Sequence, residues 1–170
     1  IPVIDMTLFQ TDKPLFIQKV SSALQDIGFF ALINTGLDQG VLDASYKASE
    51  QFFKAPEDKQ AEIHEPKVHG QRGLVYSERA QGAEVFDKKV FVHIGKKEVA
   101  NKVDNIWPTW MDLETPMMSL IDELDKISMV LLRAIALDMG EKEDFLTEQA
   151  ECGDNLLRAV YYPKNQEAKS

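Results

Sequence analysis

The stretch Thr115-Pro116-Met117-Met118-Ser119-Leu120-Ile121-Asp122-Glu123-Leu124-Asp125-Lys126-Ile127-Ser128-Met129-Val130-Leu131-Leu132-Arg133-Ala134-Ile135-Ala136-Leu137-Asp138-Met139-Gly140 is the longest periodic run in the chain. Met117, Leu120, Ile121, Leu124, Ile127, Leu131, Ile135 and Met139 recur at spacings of three and four, the period of one helix face. Pro116 is tolerated in the first turn, where a backbone N–H has no helical partner. Gly140 supplies the stop. The spacing predicts one long helix as the spine of the fold. Met118, Met129, Val130 and Leu137 lie off the main stripe, so this helix is apolar on more than one side and needs cover from more than one direction.

Upstream of that spine the pattern alternates between strand and helix. Val3 and Ile4, bounded by Pro2 and Asp5, read as a short strand. From Pro14 a helix carries Phe16, Val20, Leu24 and Ile27 and stops at Gly28. Phe29 to Ile33 is a continuous apolar run ending in Asn34-Thr35-Gly36, which predicts a buried strand beside the first. A second helix from Asp38 places Val41, Leu42, Ala48, Phe52 and Phe53 on one side, and Ala55-Pro56 ends it.

Residues 57 to 111 have Lys, Glu, Gly and Pro interrupting every candidate helix, so loop is expected there, with one strand at Val90 to Ile94. Long ordered loops are often functional. After the spine come a short helix around Glu143 to Glu151 and a strand from Leu156 to Tyr162 that Pro163 ends.

With 170 residues, 44% of them hydrophobic, the chain can bury one sizeable core, and a single segment over 1–170 is expected. The net charge of −9 repels phosphate backbones and anionic lipid surfaces, so neither nucleic acid nor membrane is an expected partner. Cys152 is the only cysteine, which excludes an internal disulfide and a cysteine-rich zinc site and fits a cytoplasmic protein. Its neighbours Glu151 and Asp154 disfavour a reactive thiolate. There is no Gly-x-Ser-x-Gly and no Gly-rich phosphate loop. Asp122-Glu123 and Glu141 to Asp144 read as solvated helix faces.

The sequence of Arg72-Gly73-Leu74-Val75-Tyr76-Ser77-Glu78-Arg79-Ala80-Gln81-Gly82-Ala83-Glu84, followed by Asp87-Lys88-Lys89-Val90-Phe91-Val92-His93-Ile94-Gly95, adds a more specific signal. Together with Ile1-Pro2-Val3-Ile4-Asp5, Gly28 to Gly36, Phe52-Phe53, Pro56-Glu57-Asp58-Lys59, Leu131 to Leu137, and Leu157-Arg158 through Tyr162-Pro163, it resembles the amino-terminal half of the isopenicillin N synthase-like family. Those proteins are non-haem Fe(II), mostly 2-oxoglutarate-dependent, oxygenases. The resemblance implies an α/β fold: the amino-terminal α/β segment of a double-stranded β-helix (jelly-roll) oxygenase, with a long central helix and few short strands. The first jelly-roll strand would be 155–162, and the iron-binding jelly roll would lie beyond residue 170. Fe(II) and 2-oxoglutarate are implied for the intact protein and neither for this chain alone, with a small organic molecule as substrate.

Relatives that end this region in Arg-x-Asn-Tyr-Tyr-Pro use the last Tyr to hydrogen-bond the 2-oxoglutarate carboxylate. Here the run is Arg158-Ala159-Val160-Tyr161-Tyr162-Pro163, so the resemblance makes Tyr162 the cofactor-binding candidate, while Val160 removes a polar contact. Arg72 and Tyr76 correspond to positions along the substrate pocket, where a guanidinium or phenol can bind a carboxylate or hydroxyl. Thr35, Leu74 and Val90 also depart from the family pattern.

The iron ligands of the family begin with a His-x-Asp pair, which does not occur here. His64 and His69 sit in a segment with no helical pattern, and His93 reads as a hydrogen-bonded structural residue. No catalytic or metal-ligating residue is therefore expected within the chain. Two rival readings remain open: a catalytically silent binding or scaffold module that keeps this half of the fold, and an unrelated small enzyme using His64, His69 or Arg72. The apolar excess of the spine and a free edge on the Leu156 to Tyr162 strand predict either further polypeptide or a homo-oligomer.

Overall fold

The computed structural model describes residues 1–64, 73–75, 89–96, 104–151, 153 and 155–163. They fall into two compact units, Ile1–Leu42 with Leu120–Gly153, and Asp43–Ser119 with Asp154–Ser170. The division falls inside two of the helices.

In the first unit, β1 (Val3–Asp5) and β2 (Ala31–Ile33) pair in parallel, Ile4 opposite Leu32. A parallel pair needs a crossover, which α1 (Leu8–Thr11) and α2 (Lys13–Asp26) provide. Asp12 caps α2 by accepting from the Leu15 N–H at 3.2 Å, and Pro14 occupies its first turn. Phe16, Val20 and Ala23 line its inner face and close a core with Ile4 and Ala134, flanked by Phe9, Phe30 and Leu131.

Two expectations are corrected here. Leu24 and Ile27 are exposed: Leu24 lies about 80° around the helix from Phe16 at 100° per residue, and Ile27 is already the C-cap. The β2 strand is not buried as expected for a continuous apolar run. Only Leu32 is half-buried, while Ala31 and Ile33 are exposed, because the two-stranded sheet covers one face and the residues alternate across it. Gly28, at φ 89°, ends α2 with its N–H on the Ala23 carbonyl at 3.0 Å.

The predicted spine is α5 (Glu114–Asp138), opened by Asp112, whose carboxylate accepts from the Thr115 N–H at 3.0 Å. Gly140, at φ 78°, closes it, with Glu141 donating back to the Ala136 carbonyl at 3.0 Å. Burial along the helix is uneven. Met117, Ile121, Ala134 and Ala136 are buried, whereas Leu124 and Met139 are exposed. The short helix α6 (Phe145–Ala150) follows, and the loop before it is tied down by Lys13 to Glu143 at 2.9 Å and Arg133 to Asp144 at 3.0 Å.

In the second unit, α3 (Gln39–Phe53) buries Ser45, Ala48, Phe52 and Phe53. The region expected to be loop is more regular than its composition suggested. It holds α4 (Glu57–Gln60), a 3-10 turn (Ala61–Ile63) and β3 (Gly73–Val75) as well as the anticipated β4 (Val90–Gly95). Gln60 explains part of this order: its side-chain N–H groups bond the Phe53 and Ala55 carbonyls at 3.2 and 2.7 Å, satisfying acceptors that the end of α3 leaves open.

The strand β5 (Leu156–Tyr161) pairs antiparallel with β4, giving the order β3-β4-β5. The strand expected to present a free edge is thus covered on one side by β4, 65 residues earlier at the His93 and Arg158 pair. Among the described residues the other edge of β5 carries no strand.

Candidate functional site

Residues alternate across β5. Leu157, Ala159 and Tyr161 are half-buried, while Leu156, Arg158 and Val160 are exposed. Tyr161 is held by its ring stacking on Phe53, centroids 5.4 Å apart and planes 12° from parallel. Phe53 in turn meets Phe52 edge-on, and Phe52 stacks on Trp110, whose indole N–H donates to the Lys59 carbonyl at 3.1 Å. The inner side of this strand is thus anchored by an aromatic series. Tyr162, one residue further, is 70% exposed.

The exposed side carries a second arrangement. His93 on β4 lies directly opposite Arg158, and the Arg158 Nε–H donates to His93 Nε2 at 2.7 Å. The guanidinium sits 4.6 Å from the centroid of Phe91, and the His93 ring is 4.8 Å from the same ring. Phe91 is only 1% exposed beneath them. At the far end of β4, Asn105 clamps Gly95, accepting its N–H and donating to its carbonyl, both at 2.8 Å.

Of the residues singled out in the sequence, Arg72, Tyr76, His69 and Cys152 lie outside the described residues. His64 is exposed at the end of the 3-10 turn. His93 does make the hydrogen bond expected of it. Its partnership with Arg158 was missed, since a cross-strand register between segments so far apart leaves no mark on local periodicity. Among the described residues no group of three His, Cys, Asp or Glu side chains could hold a metal ion, and no helix is long and apolar enough to cross a membrane.

The comparison with known families bears on all of this. Residues 1–110 match the family model of the non-haem dioxygenase N-terminal region, described from morphine synthesis. The chain belongs to this family. A protein from Caulobacter crescentus assigned to the 2OG-Fe(II) oxygenase family is similar at 27% identity and a TM-score of 0.86, over 96% of this chain and 56% of that one. Neurospora crassa T7H in complex with alpha-KG is similar at 26% identity and a TM-score of 0.80, over 96% and 54%. Gibberellin 20 oxidase 4 of Arabidopsis thaliana is 24% identical over 187 residues, 96% of this chain and 47% of its own length. The chain spans about half the length of the relatives it matches. The α/β architecture with few short strands is thus that of a dioxygenase N-terminal segment.

Proposed function

We propose that this chain is the amino-terminal α/β segment of an Fe(II)- and 2-oxoglutarate-dependent oxygenase that oxidises a small organic molecule. The observation carrying this reading is the family match over residues 1–110, joined to structural likeness across 96% of the chain. In this reading β5, with residues 155–162, is the first strand of a double-stranded β-helix whose iron-binding remainder lies beyond residue 170. In this reading the metal is assigned to that remainder, because the His-x-Asp pair that begins the ligand set of the resembled family does not occur in the sequence, and no step of the oxidation is routed through the described residues. Iron and 2-oxoglutarate, when bound, supply dioxygen activation and the two electrons released as the co-substrate is oxidised to succinate and carbon dioxide.

What this chain contributes is binding and placement. The Tyr162 phenol donates to a 2-oxoglutarate carboxylate, and its exposure beside a strand anchored through Tyr161 and Phe53 suits a hydrogen-bond donor held ready for a ligand. Arg72 and Tyr76, which lie outside the described residues, are assigned by the resemblance to substrate binding.

The test is Tyr162→Phe in the protein that contains this chain. Loss of a charge-assisted hydrogen bond, about 1.5 to 3 kcal/mol, raises the apparent constant for 2-oxoglutarate roughly ten- to a hundredfold. An unchanged constant removes Tyr162 from the co-substrate site.

A further inference from the structure

We propose that the open edge of β1 and the stripe of α2 beside it form an interface for a second copy of this chain. The two β1 strands pair antiparallel about a two-fold axis, and Lys19 of each protomer meets Asp26 of the partner subunit. The inference does not depend on the oxidation chemistry.

The edge follows from the register of the two strands. The Ala31 N–H donates to the Pro2 carbonyl at 2.8 Å and the Met6 N–H to the Ile33 carbonyl at 3.0 Å, so the even-numbered residues of β1 turn their backbone groups toward β2. Val3 and Asp5 therefore point their N–H and C=O groups the other way. Among the described residues no strand takes these groups up. An open edge of this kind is a template for another strand. A two-fold axis passing by Ile4 sets Val3 opposite Asp5 of the partner subunit, and each such pair exchanges both of its N–H···O bonds.

The helix selects the occupant. Leu15, Lys19, Ser22 and Asp26 lie along one stripe of α2, because these spacings return to within about 40° of the same direction at 100° per residue. They border the groove between α2 and β1, where Val3 and Ile27 are exposed. Lys19 and Asp26 are themselves exposed, about 10.5 Å apart along the axis, and have no ion-pair partner among the described residues. The stripe thus carries a cation toward one end, an anion toward the other, and the small Ser22 between them.

Laid parallel on its own copy, this stripe sets Lys19 on Lys19 and Asp26 on Asp26. Laid antiparallel, it matches each Lys19 with an Asp26, twice over by symmetry, and brings Ser22 to the midpoint, where a small side chain lets the helices approach. Antiparallel is also the direction that strand pairing imposes: β1 and β2 are parallel, so the connecting α2 runs back against both, and a reversed β1 carries a reversed α2. Edge and charge pattern share one axis. The chain itself supplies both the strand and the reversed charges that its own surface requires. Because exposed ion pairs are weak, Lys19 and Asp26 select the orientation, while strand bonding and cover for Val3 and Ile27 supply the affinity.

Sedimentation equilibrium of the protein that contains this chain is expected to show a concentration-dependent dimer. Lys19→Asp and Asp26→Lys each weaken it about tenfold, since one reversal places like charges at two symmetric contacts. The double variant Lys19→Asp, Asp26→Lys exchanges the signs and restores association to within about threefold of the unmodified protein. Both positions are exposed, and circular dichroism confirms that the variants keep the fold. Amide exchange at Val3 and Asp5 of the unmodified protein slows as its concentration rises, a readout that needs no variant.

A monomer at all concentrations up to about 500 μM would overturn the proposal. So would a dimer indifferent to either single reversal, which uses another surface, or a double variant no better than the single ones. Val3 and Asp5 amides protected equally at every concentration would overturn it as well, since a further segment of the same polypeptide then covers the edge.

Discussion

Phe53, the last residue of α3, stacks nearly parallel on Tyr161, the last residue of β5, with ring centroids 5.4 Å apart. The contact joins a helix end to a strand end 108 positions later, and it sets the backbone immediately before Tyr162. Because Phe53 is buried, its replacement by Ala removes both the stack and the buried area. Phe53→Ala is expected to destabilise the protein by about 3 to 5 kcal/mol, read as a shift in denaturant midpoint at constant slope. A loss under about 1 kcal/mol would show that the stack is not structural.

Gln60 ties the carbonyls of Phe53 and Ala55 from a buried position. Gln60→Met keeps the volume and deletes both donors, leaving buried acceptors unpaired. We expect a cost of about 1 to 3 kcal/mol in the same unfolding measurement.

Asp5 accepts from the Thr7 hydroxyl and backbone N–H at 2.7 and 2.9 Å and from Asn34 at 2.9 Å. The Thr7 bonds, with help from Asn34, lower its pKa below 3.8. A carboxyl whose folded-state pKa is depressed stabilises the fold above its unfolded value, and that contribution is lost as pH falls through the folded value. Asp5→Asn should therefore be less stable than the unmodified protein at neutral pH, with the difference closing as acid unfolding is followed below pH 3.8. A difference constant with pH would show that the charge on Asp5 plays no part.

Gly140 adopts φ 78°, and a Cβ added there would meet nothing within 4 Å. Any penalty for Gly140→Ala is then conformational, about 1 kcal/mol. Gly140→Asn, which tolerates this backbone region better, should recover part of it in thermal melts.

Much of the helical framework was legible from local pattern. The Met117 to Ile135 periodicity, Pro116 and Gly140 marked α5, and Pro14 and Gly28 marked α2, because helix starts, helix stops and 3.6-residue spacing are short-range. What failed depended on distant chain. The exposure of Ala31 and Ile33 follows from which face of a two-stranded sheet is covered. The order within residues 57 to 64 owes part of its basis to Gln60 reaching back to α3, and to Glu62, whose carboxylate accepts the Thr109 N–H at 3.1 Å and its hydroxyl at 2.5 Å. At the candidate site, Tyr162 is a proposal that the resemblance of the Arg158 to Pro163 run supplied, whereas the link from Arg158 to His93 depends on register across 65 residues.

The central claim is tested most directly by incubating the protein that contains this chain with Fe(II), 2-oxoglutarate and dioxygen and measuring succinate. The account predicts succinate formation that requires both iron and 2-oxoglutarate and falls in Tyr162→Phe at sub-saturating 2-oxoglutarate. Absence of succinate, together with no measurable binding of 2-oxoglutarate to the folded iron-loaded protein, would contradict it and favour a silent module that retains the fold without the chemistry.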